Sequence, residues 1–357
     1  MLEGTLWSLN SVKAVGKARS RKAAPREGRQ ESGSAKDRKN ESVSYEAEVP
    51  ARAKQAETAP PEWEWVDRNV WTERMLAALG NGVKGNKWFS LIDKVYRPAT
   101  LQAAWEQVKS NRGAAGIDGQ SIEAFAANAG RYLDELAKDL EEGKYQAQAV
   151  RRVEIPKAGG KTRPLGIPTV KDRIVQTAVK RVIEPIFEQE FLPMSYGFRP
   201  GRGCKDALRE VDGYLKEGYT HVVDADLKGY FDSIPHPLLK ERIEERISDG
   251  RLLELLAGWL RQDIVKGLER WTPMGGTPQG AVISPLLANL YLHPLDERMT
   301  KLGYRMVRYA DDFVILCESA EQARIYGPDF VVLSEPRESL LLLAESVLAR
   351  GRASKDH

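Results

Sequence analysis

Apolar and polar positions alternate along the chain with two periods. Helical spacing predicts helices at Trp71–Leu79 and from Trp88 to Val95, and at Leu101–Ser110 with Thr100 as its N-cap. It predicts further helices at Ser121–Phe125 and Tyr132–Leu140. Ala149–Ile155 switches to strand alternation, with Val150, Arg152 and Glu154 set against Arg151, Val153 and Ile155. Arg163–Ile167 pairs with it across Lys157-Ala-Gly-Gly-Lys161, a turn by composition. Ile174, Val175, Ala178, Val179, Val182, Ile183 and Ile186 then predict a long amphipathic helix over Asp172–Glu190. Ser195–Cys204 reads as a glycine-rich basic loop and Asp206–Leu215 as a helix. Thr220–Asp226 reads as a buried strand, Leu238–Val265 as mostly helix and Pro285–Met299 as a helix. Arg305–Tyr309 and Phe313–Cys317 form a hairpin with Asp311 and Asp312 at its tip.

The first 60 residues break this pattern. Lys13–Lys39 is almost free of large aliphatic groups, with ten basic residues against three acidic ones. Such a segment buries too little to offset the entropy of folding, so residues 1–60 are expected to be a disordered basic tail. The whole chain of 357 residues has a net charge of only +3, but that figure hides segregation. Lys144–Arg181 carries ten basic and two acidic residues, and two such stretches point to a polyanionic partner. Two cysteines, Cys204 and Cys317, and four scattered histidines exclude a disulfide framework and a Cys/His metal site. No purely apolar run exceeds five residues, far from the roughly 20 a membrane span needs. The expected setting is cytoplasmic, without a membrane.

Candidate chemistry starts with acids. Adjacent carboxylates repel and strands disfavour Asp. Asp311-Asp312 is therefore either a solvated turn or a cation site. Asp226 ends an apolar strand and can meet the hairpin acids in space, while Asp224 lies deeper in that strand and Asp232 can cap the next segment. Carboxylate oxygens suit Mg²⁺ bound together with substrate phosphates. Gln279 lies among Gly275, Gly276 and Gly280, which permit close backbone approach to a ligand. Arg199 and Arg202 in Phe198-Arg-Pro-Gly-Arg-Gly203 make a candidate clamp for a template phosphate backbone. Trp63, Trp65, Trp71 and Trp88 fit core packing better than base stacking. Gly160-Lys161-Thr162 looks like the end of a P-loop, but Ile155 stands where the earlier glycine is required.

Six segments occur in order: Gly113-Ala-Ala-Gly-Ile-Asp-Gly119, Arg163-Pro-Leu-Gly-Ile-Pro168, Ser195-Tyr-Gly-Phe-Arg-Pro-Gly-Arg202, Asp226-Leu-Lys-Gly-Tyr-Phe231, Gly276-Thr-Pro-Gln-Gly-Ala-Val-Ile-Ser-Pro-Leu-Leu-Ala-Asn289 and Tyr309-Ala-Asp-Asp312. Together they resemble the fingers and palm motifs of the group II intron-encoded reverse transcriptase/maturase family, over about residues 70–320. The resemblance implies an α+β right-hand polymerase fold with helical fingers and an antiparallel palm sheet. It implies that Asp226, Asp311 and Asp312 are catalytic metal ligands, with the Leu227 carbonyl as a further one, holding two Mg²⁺ that Mn²⁺ can replace. Phe231 would crowd a ribose 2′-hydroxyl. Lys157 and Arg163 would grip the incoming triphosphate, as two cations on a mobile hairpin can. Gln279 would lie beside the nascent base pair.

The spans that follow are a tail at 1–60, an N-terminal helical extension at 61–112, fingers at 113–219, palm at 220–319 and an atypical tail at 320–357. After Ser319 the chain departs from the family pattern, with no Lys-Thr strand or thumb, so a C-terminally truncated copy is expected. The implied function is RNA-directed DNA polymerisation with an RNA template, a DNA primer or target, deoxynucleoside triphosphates and intron RNA as partners. The alternatives are a catalytically impaired RNA-binding remnant, or a retron-type or CRISPR-associated reverse transcriptase.

Overall fold

The computed structural model describes residues 14–15, 63–156, 160, 162–227 and 229–326; at 14–15, 226 and 324–326 it describes the backbone alone. The elements in chain order are β1 (Ala14–Val15), α1 (Glu73–Asn81), α2 (Ile92–Val95), α3 (Pro98–Ser110), α4 (Ile122–Ala126), α5 (Ala129–Glu141), β2 (Val150–Pro156), β3 (Thr162–Ile167), α6 (Val170–Glu188) and α7 (Cys204–Lys216). They continue with β4 (His221–Asp226), α8 (Tyr230–Ser233), α9 (His236–Glu244), α10 (Gly250–Leu260), β5 (Ile264–Lys266), β6 (Glu269–Trp271), α11 (Ser284–Lys301), β7 (Arg305–Tyr309), β8 (Asp312–Cys317) and α12 (Ala320–Tyr326). None of these helices is long and apolar enough to cross a membrane.

Two four-stranded sheets organise the described residues. The palm sheet has the order β1-β4-β8-β7 and is antiparallel throughout, as expected. The fingers sheet has the order β3-β2-β5-β6, with β2 and β5 parallel. Two of its strands, β5 and β6, lie within the span read as palm. Most of the 1–60 tail lies outside the described residues, but Ala14 and Val15 pair with Val223 and Val222 on the outer edge of β4. Residues 327–357, with most of the expected atypical tail, also lie outside the described residues.

The long helix α6 runs through the core. Its apolar stripe is fully buried, and Thr169 caps it by accepting from the Asp172 amide. Burial of both helix faces explains its Gln176 and Thr177, each of which is hydrogen-bonded: Gln176 accepts from the Val282 amide and Thr177 donates to the Arg173 carbonyl. Trp71 is wholly buried, donates its indole N–H to the Arg181 carbonyl and meets Trp88 edge-on at 5.3 Å. Its place is in the core.

Four boundaries differ from the sequence pattern. Helix α3 starts at Pro98, which needs no hydrogen-bonded N–H at N1, so Thr100 is buried in the first turn and is not its cap. The stretch 238–265 is two helices and a strand, because α9 ends at Glu244 and Asp249 starts a new helix by capping α10 through the Leu252 amide. The other Asp249 oxygen takes the Leu91 and Ile92 amides, and only α2 forms in the helix expected from Trp88. Finally, Asp312 belongs to the β8 ladder, which leaves a two-residue turn of Ala310 and Asp311.

Candidate active site

The ladder between β4 and β8 pairs Asp226 with Asp312, and that between β7 and β8 pairs Tyr309 with Asp312. Directly opposed positions on antiparallel strands share a face of the sheet, with Cβ atoms about 5 Å apart. Asp311 is the neighbouring turn residue. Three acid-bearing positions therefore meet at one end of the palm sheet, although Asp226 and Asp311 lie far apart in the chain. Asp224 is paired with Val314 and is exposed, one step deeper in the strand. Among the described residues no group of three His, Cys, Asp or Glu side chains is arranged to hold a metal ion, and that set does not contain the Asp226 side chain. The donors themselves are carboxylate oxygens, the type a hard divalent cation takes, so the residues present fit one.

The turn is held in an unfavourable backbone conformation. Ala310 has φ +61°, a region that costs a residue other than glycine on the order of 1–3 kcal/mol and persists only where the surroundings over-determine it. Those surroundings are the loop 195–203. A Cβ on Gly197 would lie 2.2 Å from the Ala310 amide nitrogen, so only glycine lets the loop touch the turn. Phe198, the next residue, also has a positive φ, at +62°.

Beneath the contact lies Arg308, whose guanidinium is fully buried. It donates to both Asp296 oxygens, to Asn289 Oδ1 at 3.0 Å, to Ser195 Oγ at 2.7 Å and to the Ala310 carbonyl at 2.8 Å. All five of its N–H groups are used. Asn289 in turn donates to the Gly197 carbonyl at 2.8 Å. Sequence reasoning did not find this network, because an Arg before Tyr-Ala-Asp-Asp in a strand reads as a solvated charge.

The glycine-rich segment 275–280 is docked on two sides. The Thr277 and Gly276 amides donate to the carbonyls of Phe231 and Ile234, and His236 Nε2 contacts the Gly276 carbonyl at 2.7 Å. On the other side the Gly166 amide of β3 donates to the Gln279 carbonyl. A Cβ on Gly280 would lie 2.4 Å from the Gly166 carbonyl. Gln279 is thereby fixed between β3 and the segment around α8, half exposed. Phe231 is half-buried and meets Phe198 and Tyr230 edge-on. The Leu227 carbonyl accepts from the Tyr230 amide at 3.3 Å, which leaves a second lone pair. Arg163 is exposed on β3, opposite Ile155; Lys157 lies outside the described residues.

Arg199 departs from its expected role at a template backbone. Its side chain is 4% exposed, and all five N–H groups point inward, to Glu188 and to the carbonyls of Phe191, Leu192 and Ser195. It staples the loop 195–203 to the end of α6. The Glu188 carboxylate and the carbonyls of Phe191, Leu192 and Ser195 converge on it, and spacing alone does not reveal that. Arg202 is half exposed, bonds the Pro193 carbonyl and lies over the Tyr196 ring at 5.4 Å.

A second buried knot fixes the fingers sheet. Asp172 accepts from the Tyr145 hydroxyl at 2.6 Å and the Gln148 amide at 3.2 Å, next to the start of β2. Burial pushes both the Asp172 carboxyl and the Tyr145 hydroxyl above their ordinary pKa ranges.

A family model described as reverse transcriptase (RNA-dependent DNA polymerase) matches residues 155–351. The chain belongs to the reverse transcriptase family. Reverse transcriptases generally use divalent metal ions, in keeping with the acids gathered here. The expected likeness to group II intron-encoded members is borne out. The chain is 36% identical over 215 residues to the group II intron-encoded protein LtrA of Lactococcus lactis subsp. cremoris, across 59% of this chain and 35% of that protein. Protein YkfC of Escherichia coli (strain K12) is 41% identical over 214 residues, across 58% of this chain and 56% of that protein. The reverse transcriptase thus spans 35–56% of the length of these relatives. A solved partial Cas6-RT-Cas1–Cas2 complex matches 69% of this chain and 42% of that one, at 26% identity and a TM-score of 0.42.

Proposed function

We propose that this reverse transcriptase copies RNA into DNA as a group II intron-type enzyme, extending a primer 3′-hydroxyl with deoxynucleotides. The observation that carries this reading is the ladder register that sets Asp226 opposite Asp312, beside Asp311. In the reaction the primer 3′-oxygen forms a bond to the α-phosphorus of a deoxynucleoside triphosphate. The α–β phosphoanhydride bond breaks, pyrophosphate leaves and the hydroxyl proton is lost. Asp226, Asp311 and Asp312, with the Leu227 carbonyl, would hold two Mg²⁺, or Mn²⁺ in their stead. Such cations supply charge neutralisation and activation of the attacking oxygen.

The chain's own groups do the rest. Arg163, with Lys157, grips the triphosphate. Phe231 crowds the position of a 2′-hydroxyl and so selects deoxynucleotides. Gln279 borders the nascent pair, and Arg202 meets the template backbone. Template RNA, a DNA primer or target and intron RNA are the partners; the relative described as group II intron-encoded supports the last.

Extension of oligo(dT) on poly(rA) by the purified chain tests the proposal. Divalent-metal-dependent extension that Asp311→Ala abolishes is the expected result. Extension unchanged in Asp311→Ala would refute the assignment, and RNA retention without any extension by the wild-type chain would favour the impaired RNA-binding remnant.

A further inference from the structure

The buried network around Arg308 does more than fill the core beneath the palm sheet. Two residues other than glycine with positive φ, Phe198 and Ala310, lie on the two sides of one tight contact, where Gly197 touches the Ala310 backbone. Each has a hydrogen bond to the peptide unit that sets its orientation. Asn289 donates to the Gly197 carbonyl, in the peptide that leads into Phe198. Arg308 donates to the Ala310 carbonyl, in the peptide that leads into Asp311. Arg308 also donates to Asn289, so the two holds are one connected unit braced by Asp296 and Ser195.

This unit bears on the acids without touching a substrate. The Ala310–Asp311 peptide plane sets the direction in which the chain enters Asp311, and Asp311 begins the pair of acids at the tip. A peptide held at positive φ in a residue with a Cβ returns toward ordinary conformations once its hold is removed. The Asp296 carboxylate cannot perform this task alone, because it reaches only the guanidinium. Arg308 is the group that spans from α11 to the turn.

We propose that Arg308 is a positioning residue that fixes the acid-bearing turn for divalent cation binding, and that Asn289 ties this turn to the 195–203 loop. The proposal rests on the reading of the three acids as a cation site. It adds that the site's affinity depends on a strained peptide held from behind, at atoms no cation or nucleotide would contact. Partners that orient metal ligands from behind typically change metal affinity by about 10–100-fold when removed.

The test separates positioning from packing by a readout that does not depend on turnover. Mn²⁺ affinity of the full chain is measured by electron paramagnetic resonance of the free ion, beside thermal melting. Two variants are used. Asn289→Ala removes the link between loop and turn without deleting a charge. The double variant Arg308→Met with Asp296→Leu replaces the ion pair by apolar groups, a change that often leaves stability unaffected or improved. In each, Mn²⁺ affinity is expected to fall about ten-fold or more. Adding Ala310→Gly, which removes the strain that the hold opposes, is expected to restore part of the loss.

Variants that melt lower but bind Mn²⁺ as the wild type does would overturn the positioning role. So would a loss of affinity that Ala310→Gly leaves untouched. If the double variant does not fold, Asn289→Ala decides the matter alone. A wild-type chain that binds no Mn²⁺ sinks the cation-site reading and this proposal with it, whereas wild-type binding with indifferent variants overturns only the role of Arg308 and Asn289.

Discussion

The two sheets carry their charges in opposite ways. In the palm sheet the interior positions of β7 and most of those of β8 are buried, and the cation at their centre, Arg308, has no exposure at all. Its pairing with Asp296 is likewise sealed from water. In the fingers sheet, by contrast, Val150 is the fully buried strand position, and the rest are half exposed or open. Its pairs are solvated: Lys266 with Glu154 at 3.1 Å, and Arg152 with Glu154 while it also lies over the Trp271 ring. The difference teaches where the fold invests structure. Acids that must converge are fixed from behind by a dry, fully bonded network. Cations suited to meeting a polyanion stand on a ribbon open to water, where the fold commits little to any one of them.

The comparison can be broken first at its strongest point. Arg308→Ala strands the buried Asp296 carboxylate and is expected to cost about 3–5 kcal/mol in urea unfolding. A loss no larger than that of an exposed pair would mean that the palm network is not the anchor described. Next in size is Gly197→Ala, whose methyl group must push the loop off the turn. About 1–3 kcal/mol is the expected cost, together with reduced primer extension; a silent substitution would mean that loop and turn do not touch.

A smaller effect separates the regions by pH. His293 lies on α11 of the palm, edge-on to Phe191 at 5.7 Å and 3.9 Å from Glu297. Burial lowers its pKa below the ordinary value, against the opposing pull of Glu297 and Asp296. The folded state then resists protonation more than the unfolded chain, whose histidine titrates near about 6.5. Stability from this group is complete above that value and is lost as pH falls through the lowered one. Melting followed from pH 7.5 to 5 should decline less steeply in His293→Gln than in the wild type; parallel curves would remove His293 from the account. The smallest effect belongs to the fingers. Lys266→Ala is expected to leave the melting temperature unchanged, because its ion pair with Glu154 is solvated. A clear drop there would erase the contrast between the sheets.

Much of this architecture was legible in the chain. The stripe from Ile174 to Ile186 announced α6, alternation announced β2 and β3, and the apolar runs on either side of Asp311 announced the palm hairpin. Six ordered motifs carried the family. What escaped shares a physical cause: it depends on partners that sequence spacing does not display. Strands β5 and β6 have three residues each, too few for a period to register, and their place is set by pairing with β2 more than a hundred positions earlier. Thr100 competed as a cap with Pro98, whose ring decides the first turn. Arg199 read as a phosphate clamp in a basic loop, and nothing in its spacing singled out Arg308. Both are interior, because carbonyls and carboxylates converge on them: for Arg199 from the neighbouring end of α6 and the loop after it, for Arg308 from α11 and the distant Ser195. The pairing of Asp226 with Asp312 was expected as proximity, but the register itself is a property of the assembled sheet.

The backbone contact between Gly166 and Gly280 limits how this chain can diversify. Gly280 has φ +102°, and a methyl on either residue would run into its neighbour's main chain or side chain. At Gly280 no repacking of flexible groups makes room, because the obstacle is the Gly166 carbonyl oxygen; at Gly166 it is the buried Val150 Cγ1 at 2.7 Å, with the Gln279 carbonyl close behind. A library randomised at 166 and 280 and sorted for folded protein should return hydrogen as the side chain at both positions, leaving evolution to tune the seam between fingers and palm only from the residues around it.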